Sequence, residues 1–481
     1  MTATVFCPPL NQLALSVVDL RRTEAWFVEG LGFLPAGGSI LMTSGPVAGL
    51  VQGLPGAASC AWWLVGRNSW FQLELFQFRR PVAKLMTADF RPCDVGYTRM
   101  GVHVVDFDTA LANLARLGSE PLAPTQGQPG QRRAVVRSPD GVFVEIMEDD
   151  PLPQPVGSER GDCPVAVRSV TLSTPNLEAS VAYLTAINGK GPEEIALHTA
   201  EHETLWGLPG AICKRAVFRS GDVLVEVVQY FDPPGKPWPP GYAISDQGIL
   251  NICYGMRLKE QHREVYRRTV DFGAKPNCRP LYFDKGGIVY MNDHYGFSVE
   301  ITCIPAGSRD VKYGFEPLPR EQRPRLDKVH VSGKADIAAP VDTVWQILND
   351  HDSMAKWSGF DTVHRTCEGA PDPNGYGAQR FMQGKPGRVV EQIIGVEPQR
   401  AIYYRVIEGG PIRFHNGEIL LRPTDKGCEV RWSIRCRNKY PFTGGLVRRV
   451  MQKMLDGTLQ RGLRPFAESP TDPQADRPAI R

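Results

Sequence analysis

The feature that most constrains this chain is an internal repeat of long period. Gly53-Leu54-Pro55-Gly56-Ala57 returns 154 residues later as Gly207-Leu208-Pro209-Gly210-Ala211, and Glu74-Leu75-Phe76-Gln77-Phe78 returns after 152 as Glu226-Val227-Val228-Gln229-Tyr230. The stretch S-P-D-G-V-F-V-E-I, carrying Gly141 and Glu145, returns 155 residues on as D-H-Y-G-F-S-V-E-I, carrying Gly296 and Glu300. Such a period is a whole domain, not a solenoid unit of roughly 20 to 50 residues.

Each half is itself double, because an apolar strand running into an amphipathic helix occurs twice within it. N-Q-L-A-L-S-V-V-D-L opens the first, and T-R-M-G-V-H-V-V-D-F the second. In the second, Leu111, Leu114 and Leu117 recur at helical spacing, with Asp106 and Asp108 at the start and Gly118 as a stop. Pro139-Asp140-Gly141 then marks a turn before an alternating strand. The reading is an α+β chain: four βαβββ modules from residue 8 to about 305, forming two paired-module domains at 1–150 and 160–305.

These features resemble the vicinal oxygen chelate superfamily of glyoxalases, bleomycin-resistance proteins and extradiol dioxygenases. The marks are Asp19 and Asp106 closing apolar strands, Asp140-Gly141 followed by Glu145, and Glu74 in a module-ending strand. The resemblance implies that paired modules close a cup around a divalent metal held from their first and last strands. The last-strand positions carry Glu74, Glu145, Glu226 and Glu300, but the first-strand positions carry Gln12, Arg99, Ser169 and Asn251, none of them histidine. A guanidinium among the ligands opposes a cation. We therefore expect no metal, while an oxygen-only site at Gln12, Glu74 and Glu145 stays open. Two readings of the first cup follow. Either Arg99 neutralises Glu145 or Glu74 internally, or Arg99 grips a substrate carboxylate or enolate and a glutamate of raised pKa moves a proton. Gln12, Glu74, Arg99 and Glu145 are thus the candidate catalytic residues. His198-Thr199-Ala200-Glu201-His202 matches a zinc-peptidase spacing but is read as a solvated helix face.

Residues 306–326, rich in Pro, Arg and Glu, read as a linker. Beyond it come a strand ending near Pro340, a short helix, and several strand-like segments. The last of these alternates Cys428, Val430, Trp432, Ile434 and Cys436 on one face. A long helix follows, roughly Gly444 to Glu468, with Leu446, Val450, Met454, Leu455 and Leu459 as its apolar residues. Ile337 to Trp345, Met354 to Ser358, Pro373 to Gly377 and Leu421 to Ser433 resemble the START-like polyketide cyclase and dehydrase superfamily. The resemblance implies a helix-grip domain at 327–468 with an apolar cavity under its long helix. Trp357, Arg380, Glu391, Tyr404 and His415 are the candidate ligand-binding residues, and 469–481 is expected to be a disordered tail.

Composition narrows the function classes. Lys+Arg 55 against Asp+Glu 52, without a basic run, offers no surface for many phosphates, so no nucleic-acid partner is expected. No apolar run approaches the roughly 20 residues that span a bilayer, and the N-terminus lacks a signal-peptide pattern. We expect no membrane partner and a cytoplasmic protein. The eleven cysteines form no C-x-x-C pair. Two cupped folds on one chain point to small-molecule chemistry: an isomerase, cyclase or lyase, without cofactor, acting on a hydrophobic carbonyl-bearing substrate of polyketide, steroid or aromatic type. The alternatives are a metal-dependent glyoxalase or extradiol-type dioxygenase in 1–150, and a non-catalytic carrier of a hydrophobic ligand. A homo-oligomer is left open.

Overall fold

The computed structural model describes residues 5–152, 159–283, 286–307, 309–385 and 387–469. The chain divides into two compact units, Met1–Pro324 and Arg325–Arg481.

In the first unit, module one comprises β1 (Leu10–Ser16), α1 (Leu20–Ala25, prolonged by a wide turn over Trp26–Gly30), β2 (Leu34–Ser39), α2 (Pro46–Gln52), β3 (Ala58–Val65) and β4 (Gln72–Arg80). Module two comprises β5 (Gly96–Val104), α3 (Phe107–Arg116), β6 (Arg133–Arg137) and β7 (Phe143–Met147). Its strand before β6 is reduced to a single bridge, Gln126 to Arg133. Module three holds β8 (Val165–Ser173), α4 (Leu177–Asn188), β9 (Ile212–Ser220) and β10 (Val223–Asp232), with a tight turn at Glu201–Trp206. Module four holds β11 (Gly248–Met256), α5 (Lys259–Phe272), β12 (Lys275–Pro276), β13 (Leu281–Phe283), β14 (Gly286–Asn292) and β15 (Ser298–Cys303). The helices start where the sequence places their caps. The Asp19 carboxylate accepts from the backbone N–H groups of Arg21 and Arg22, and Asp106 and Asn176 accept from those of Thr109 and Ala179.

The modules pair differently from the division at 150–160. Strand β1 of module one lies antiparallel to β11 of module four, and β5 of module two lies antiparallel to β8 of module three. Modules one and four thus share one sheet, ordered β12-β14-β15-β11-β1-β4-β3-β2 with β13 beside β14, and modules two and three share another, ordered β6-β7-β5-β8-β10-β9. The expected domains 1–150 and 160–305 each cut through both sheets. The physical reason is that β1, β8 and β11 are buried at every position and β5 at all but one. Such a strand needs neighbours on both edges, and local sequence does not say which of three similar strands provides the second.

The expected linker 306–326 is also corrected as far as Pro324. After the short α6 (Arg309–Lys312), Phe315 is buried and the Leu318 N–H donates to the Pro35 carbonyl at 2.7 Å. The Trp62 indole N–H donates to the Pro324 carbonyl at 3.0 Å. This segment is part of the first unit, packed on module one.

The second unit is one antiparallel sheet, β16 (Val329–Ile337), β17 (Thr362–Cys367), β18 (Gln379–Gly384), β19 (Gly387–Glu397), β20 (Ala401–Gly409), β21 (Ile412–Thr424) and β22 (Gly427–Asn438), ordered β16-β22-β21-β20-β19-β18-β17. Helices α7 (Val341–Asn349) and α8 (Ala355–Ser358) follow β16. The C-terminal helix runs as α9 (Gly444–Gly457), a wide turn over Thr458–Leu463, and α10 (Arg464–Glu468). Its inward face keeps Leu455 and Leu459 of the predicted apolar residues but not Leu446 or Val450. Leu455, Leu459 and Leu463 are buried with Val447 and Met451 packed beside them, whereas Leu446 is 65% and Val450 45% exposed. At Gly462 a Cβ would meet the Trp357 carbonyl oxygen at 1.8 Å, so only glycine lets the helix pass that close. Of the expected disordered tail 469–481, residues 470–481 lie outside the described residues.

Candidate functional site

The two sheets of the first unit place their glutamates in corresponding registers. Ala14 pairs with Glu74 and Cys253 with Glu300, while Gln12 lies opposite Cys253 across the β1–β11 seam. In the other sheet Gly101 pairs with Glu145 and Thr171 with Glu226, while Arg99 lies opposite Thr171 across the β5–β8 seam. The four predicted catalytic residues are therefore not brought together: Gln12 and Glu74 share one cup with Glu300, and Arg99 and Glu145 share the other with Glu226. The open question of an oxygen-ligand site at Gln12, Glu74 and Glu145 falls with that separation.

The first cup is a cavity. Its volume is about 550 Å³, and Val47, Val51, Phe76, Leu281 and Ile288 give it apolar walls around Gln12, Glu74 and Glu300. Both carboxyls are within 9% of full burial, and a single amide links them: Gln12 Nε2 lies 2.8 Å from Glu74 Oε2 and 3.1 Å from Glu300 Oε2. Glu74 Oε1 also accepts from the Trp63 indole N–H at 2.8 Å. Burial, together with repulsion from Glu300, pushes the Glu74 carboxyl up to about 8, and burial pushes Glu300 up to about 7.

The second cup is plugged by a histidine. The His198 side chain, buried among them, places Nε2 2.8 Å from Glu145 Oε2 and Nδ1 2.9 Å from Glu226 Oε2. Arg99 stands 3.4 Å from Glu226 and 4.4 Å above the Trp206 ring, and Arg133 stands 3.2 Å from Glu145. Burial would lower the His198 pKa, but the two carboxylates overcome it and hold the imidazolium at about 9. Burial would likewise raise Glu145, but His198 and Arg133 hold it at about 2, and Glu226 lies well below its ordinary value for the same reason. Within the H-x-x-E-H stretch Thr199, Ala200 and Glu201 are exposed as a solvated face would be, but His198 is buried between the two carboxylates. Arg99 pairs through Nη2 with Glu226 rather than with Glu145 or Glu74, and its Nε and Nη1 are buried without a hydrogen-bond partner.

The second cup does not fit the divalent ion that the resemblance implies: both imidazole nitrogens are engaged by the carboxylates and a guanidinium stands behind them. In the first, Trp63 and Gln12 contact the Glu74 oxygens, while Asn251, beside Glu300, has both polar atoms of its side chain buried without a hydrogen-bond partner. Among the described residues no group of three or more His, Cys, Asp or Glu is arranged to hold a metal.

In the second unit all five predicted ligand-binding residues are buried and adjoin one another. Arg380 Nε and Nη2 donate to Glu391 Oε2 at 2.9 and 2.8 Å, and the guanidinium lies 5.4 Å from the Tyr404 ring. Tyr404 lies 5.5 Å from the His415 ring and accepts from the Trp432 indole N–H at 2.7 Å, and Trp432 adjoins Trp357 at 6.4 Å. Trp357 Nε1, His415 Nδ1 and His351 Nδ1 are buried without a hydrogen-bond partner. Burial lowers His415 to about 4 and, helped by Arg380, His351 to about 2, so both rings are neutral at pH 7.

The sequence places Glu226 and Glu300 at last-strand positions without marking them as catalytic candidates, its H-x-x-E-H stretch reads as a solvated face at His198, and nothing in it singles out Trp63 or Gln72. The spacing of 155 between Glu145 and Glu300 was the signal for the carboxylates. Nothing comparable pointed to His198, which sits in an irregular loop between α4 and β9.

Residues 328–469 match the model of the polyketide cyclase / dehydrase and lipid transport family. No curated protein matches the chain. Among solved structures, glyoxalase I from Zea mays is 15% identical over 61% of this chain and 92% of its own, with a TM-score of 0.43. A putative dioxygenase from Bacillus subtilis subsp. subtilis str. 168 is 12% identical over 65% of this chain and 91% of its own, at 0.44. A START superfamily protein from Mycobacterium smegmatis is 14% identical over 29% of this chain and 97% of its own, at 0.26. No helix among the described residues is long and apolar enough to cross a membrane.

Proposed function

We propose that the cavity shared by modules one and four binds a hydrophobic, carbonyl-bearing small molecule and moves a proton on it, as an isomerase, cyclase or lyase working without a metal or redox cofactor. The observation that supports this reading is the pair Glu74 and Glu300, joined through Gln12 at the floor of an apolar cavity. Carboxyls poised at about 8 and about 7 sit near the operating pH, where general acid–base transfer is most effective. One donates to the substrate oxygen while the other, once ionised, accepts from the neighbouring carbon. The plugged second cup takes no part. The free state of all eleven cysteines supports a reducing, cytoplasmic setting.

The test is proton exchange in D2O. A panel of planar hydrophobic ketones and polyketide-like diketones should lose protium next to the carbonyl in the presence of the full chain. Exchange should fall at least a hundredfold in E74Q and E300Q and stay within a few fold in E145Q. Undiminished exchange in E74Q with E300Q sinks the assignment.

A second reading concerns the C-terminal domain, where the partnerless nitrogens of Trp357, His415 and His351 favour a bound polar ligand group beneath the helix. Binding of a planar hydrophobic acid or phenol that weakens in H415F, with thermal stability kept, supports it; equal binding by H415F removes it.

A further inference from the structure

The C-terminal helix carries two apolar rows, and the sheet uses one of them. Val447, Met451 and Leu455 pack inward. Leu446 and Val450, one turn apart on the outer side, stand 65% and 45% exposed, and four residues before Leu446 the Phe442 ring lies wholly in water, with Tyr440 more than half exposed. Phe442 is also held where a bulky residue is least at ease, at a φ of 61° in the left-handed region. The turn that presents it is tied down, since Thr443 Oγ1 and the Asn438 amide both donate to the Tyr440 carbonyl. Neither burial nor backbone preference accounts for a phenylalanine at that tip.

Cations surround this outer row. Arg449 and Lys453, three residues on from Leu446 and Val450, flank it along the helix, and with Arg448 and Arg461 they line a groove whose rim includes Leu446. Lys328 and Arg448 line a second groove together with Phe442. All five cations are exposed. Among the described residues Asp456 is the one carboxylate lining either groove, and it accepts from the Gln452 amide. The chain as a whole sets Lys+Arg 55 against Asp+Glu 52, so this local excess is made by the fold.

We propose that this face docks on an anionic phospholipid bilayer: Phe442, Leu446 and Val450 enter the boundary between headgroups and acyl chains, while Arg449, Lys453, Arg448 and Lys328 meet the lipid phosphates. A helix with an apolar strip beside Lys and Arg is suited to lie in that plane, and anionic headgroups attract cations within a Debye length of the surface. The long Lys and Arg stems lie along the hydrocarbon edge while their charged ends stay with the phosphates. A second copy of the chain fits worse, because pairing this face with itself sets cation against cation. Nucleic acid would answer the cations and stack on Phe442, but the aliphatic Leu446 and Val450 offer it nothing. The expectation of no membrane partner rests on the lack of a spanning run, and lying on a surface needs none.

Co-sedimentation of the full chain with lipid vesicles reads the docking. The protein should pellet with vesicles of equimolar phosphatidylglycerol and phosphatidylcholine and stay in solution with phosphatidylcholine alone. Binding should weaken in about 1 M salt, where charges are screened beyond ~3 Å. R449E/K453E and F442S/L446S should each weaken it about tenfold or more, with melting temperatures unchanged because all four side chains are exposed. L446S/V450S serves if the turn at Phe442 does not tolerate serine. Binding that survives F442S/L446S is adsorption of charge alone and overturns the proposal. Failure to pellet with the anionic vesicles overturns it too, whether the face then proves to hold duplex DNA, lost in R449E/K453E, or a second copy, seen by analytical centrifugation and lost in F442S/L446S.

Discussion

Gln12 and Arg99 occupy the same place in two sheets: each lies two residues before the strand residue that pairs with its own module's glutamate, and each reaches across the seam to the other module's. Gln12 is 3.1 Å from Glu300 and Arg99 is 3.4 Å from Glu226. A neutral amide in one sheet and a guanidinium in the other give identical carboxylate pairs opposite states. With Gln12 and no contacting cation the pair is lifted toward neutrality. With Arg99, and with His198 wedged between, the pair is ionised and the cup is closed.

Replacing His198 with alanine leaves Glu145 and Glu226 facing each other, buried, with one central cation gone. Breaking such a buried set costs about 3–5 kcal/mol, so H198A should melt well below the unaltered protein. Imidazole in the buffer, entering the vacated place as its cation, should restore part of the loss. Calorimetry with and without imidazole checks both, and a melting temperature unchanged by H198A would contradict the wedge.

Each cup should also respond to pH in the window set by its own groups. Glu74 and Glu300 have folded pKa values above the unfolded 4.5, so the stability they contribute is complete below about 4.5 and is lost as pH rises through about 7 and 8. His198, raised from 6.5 to about 9, contributes fully below about 6.5 and loses its share as pH climbs through 9. Glu145, lowered to about 2, contributes above 4.5 and loses its share as pH falls through 2. Denaturant unfolding from pH 5 to 9 should therefore show declining stability, and the decline should be shallower in E74Q/E300Q because that variant has no proton to lose there.

Fragments should follow the sheets, not the repeat. Residues 1–152 contain β1 and β5 without β11 and β8, leaving two long buried edges unpaired. That fragment should aggregate or stay unfolded, whereas residues 1–324 should unfold in one cooperative step. Circular dichroism and analytical centrifugation decide between them.

In the second unit R380M strands the Glu391 carboxylate under the helix and should cost about 3–5 kcal/mol. R380M/E391M removes both charges and should recover most of the loss, as chemical denaturation of the pair of variants will show.

The strands and capped helices of the first unit were legible because their signals are local: alternation, a cap residue, a glycine stop. Module partnership was not, since β1, β5, β8 and β11 are equally apolar and any could join any other. The long C-terminal helix was legible as a helix but its face was not. Leu446, Val450 and Met454 form an i, i+4 row as regular as that of Val447, Met451 and Leu455, and only the sheet beneath selects the latter. The site suffered most where it depends on unpatterned chain. The glutamates stand out through the repeat, but His198 lies in a loop, which no side-chain pattern announces.

The nesting of modules two and three inside modules one and four has a consequence for biosynthesis. The inner sheet is complete once β10 has left the ribosome, but Gln12 meets a partner 288 residues downstream. At roughly 5–20 residues per second, β1 waits about 12 to 50 seconds for β11 with an unpaired apolar edge while the inner pair folds beside it. The newborn chain carries its greatest risk of misassociation in that interval, and a translational pause or a chaperone acting before residue 300 would protect the unfinished cavity rather than the finished one.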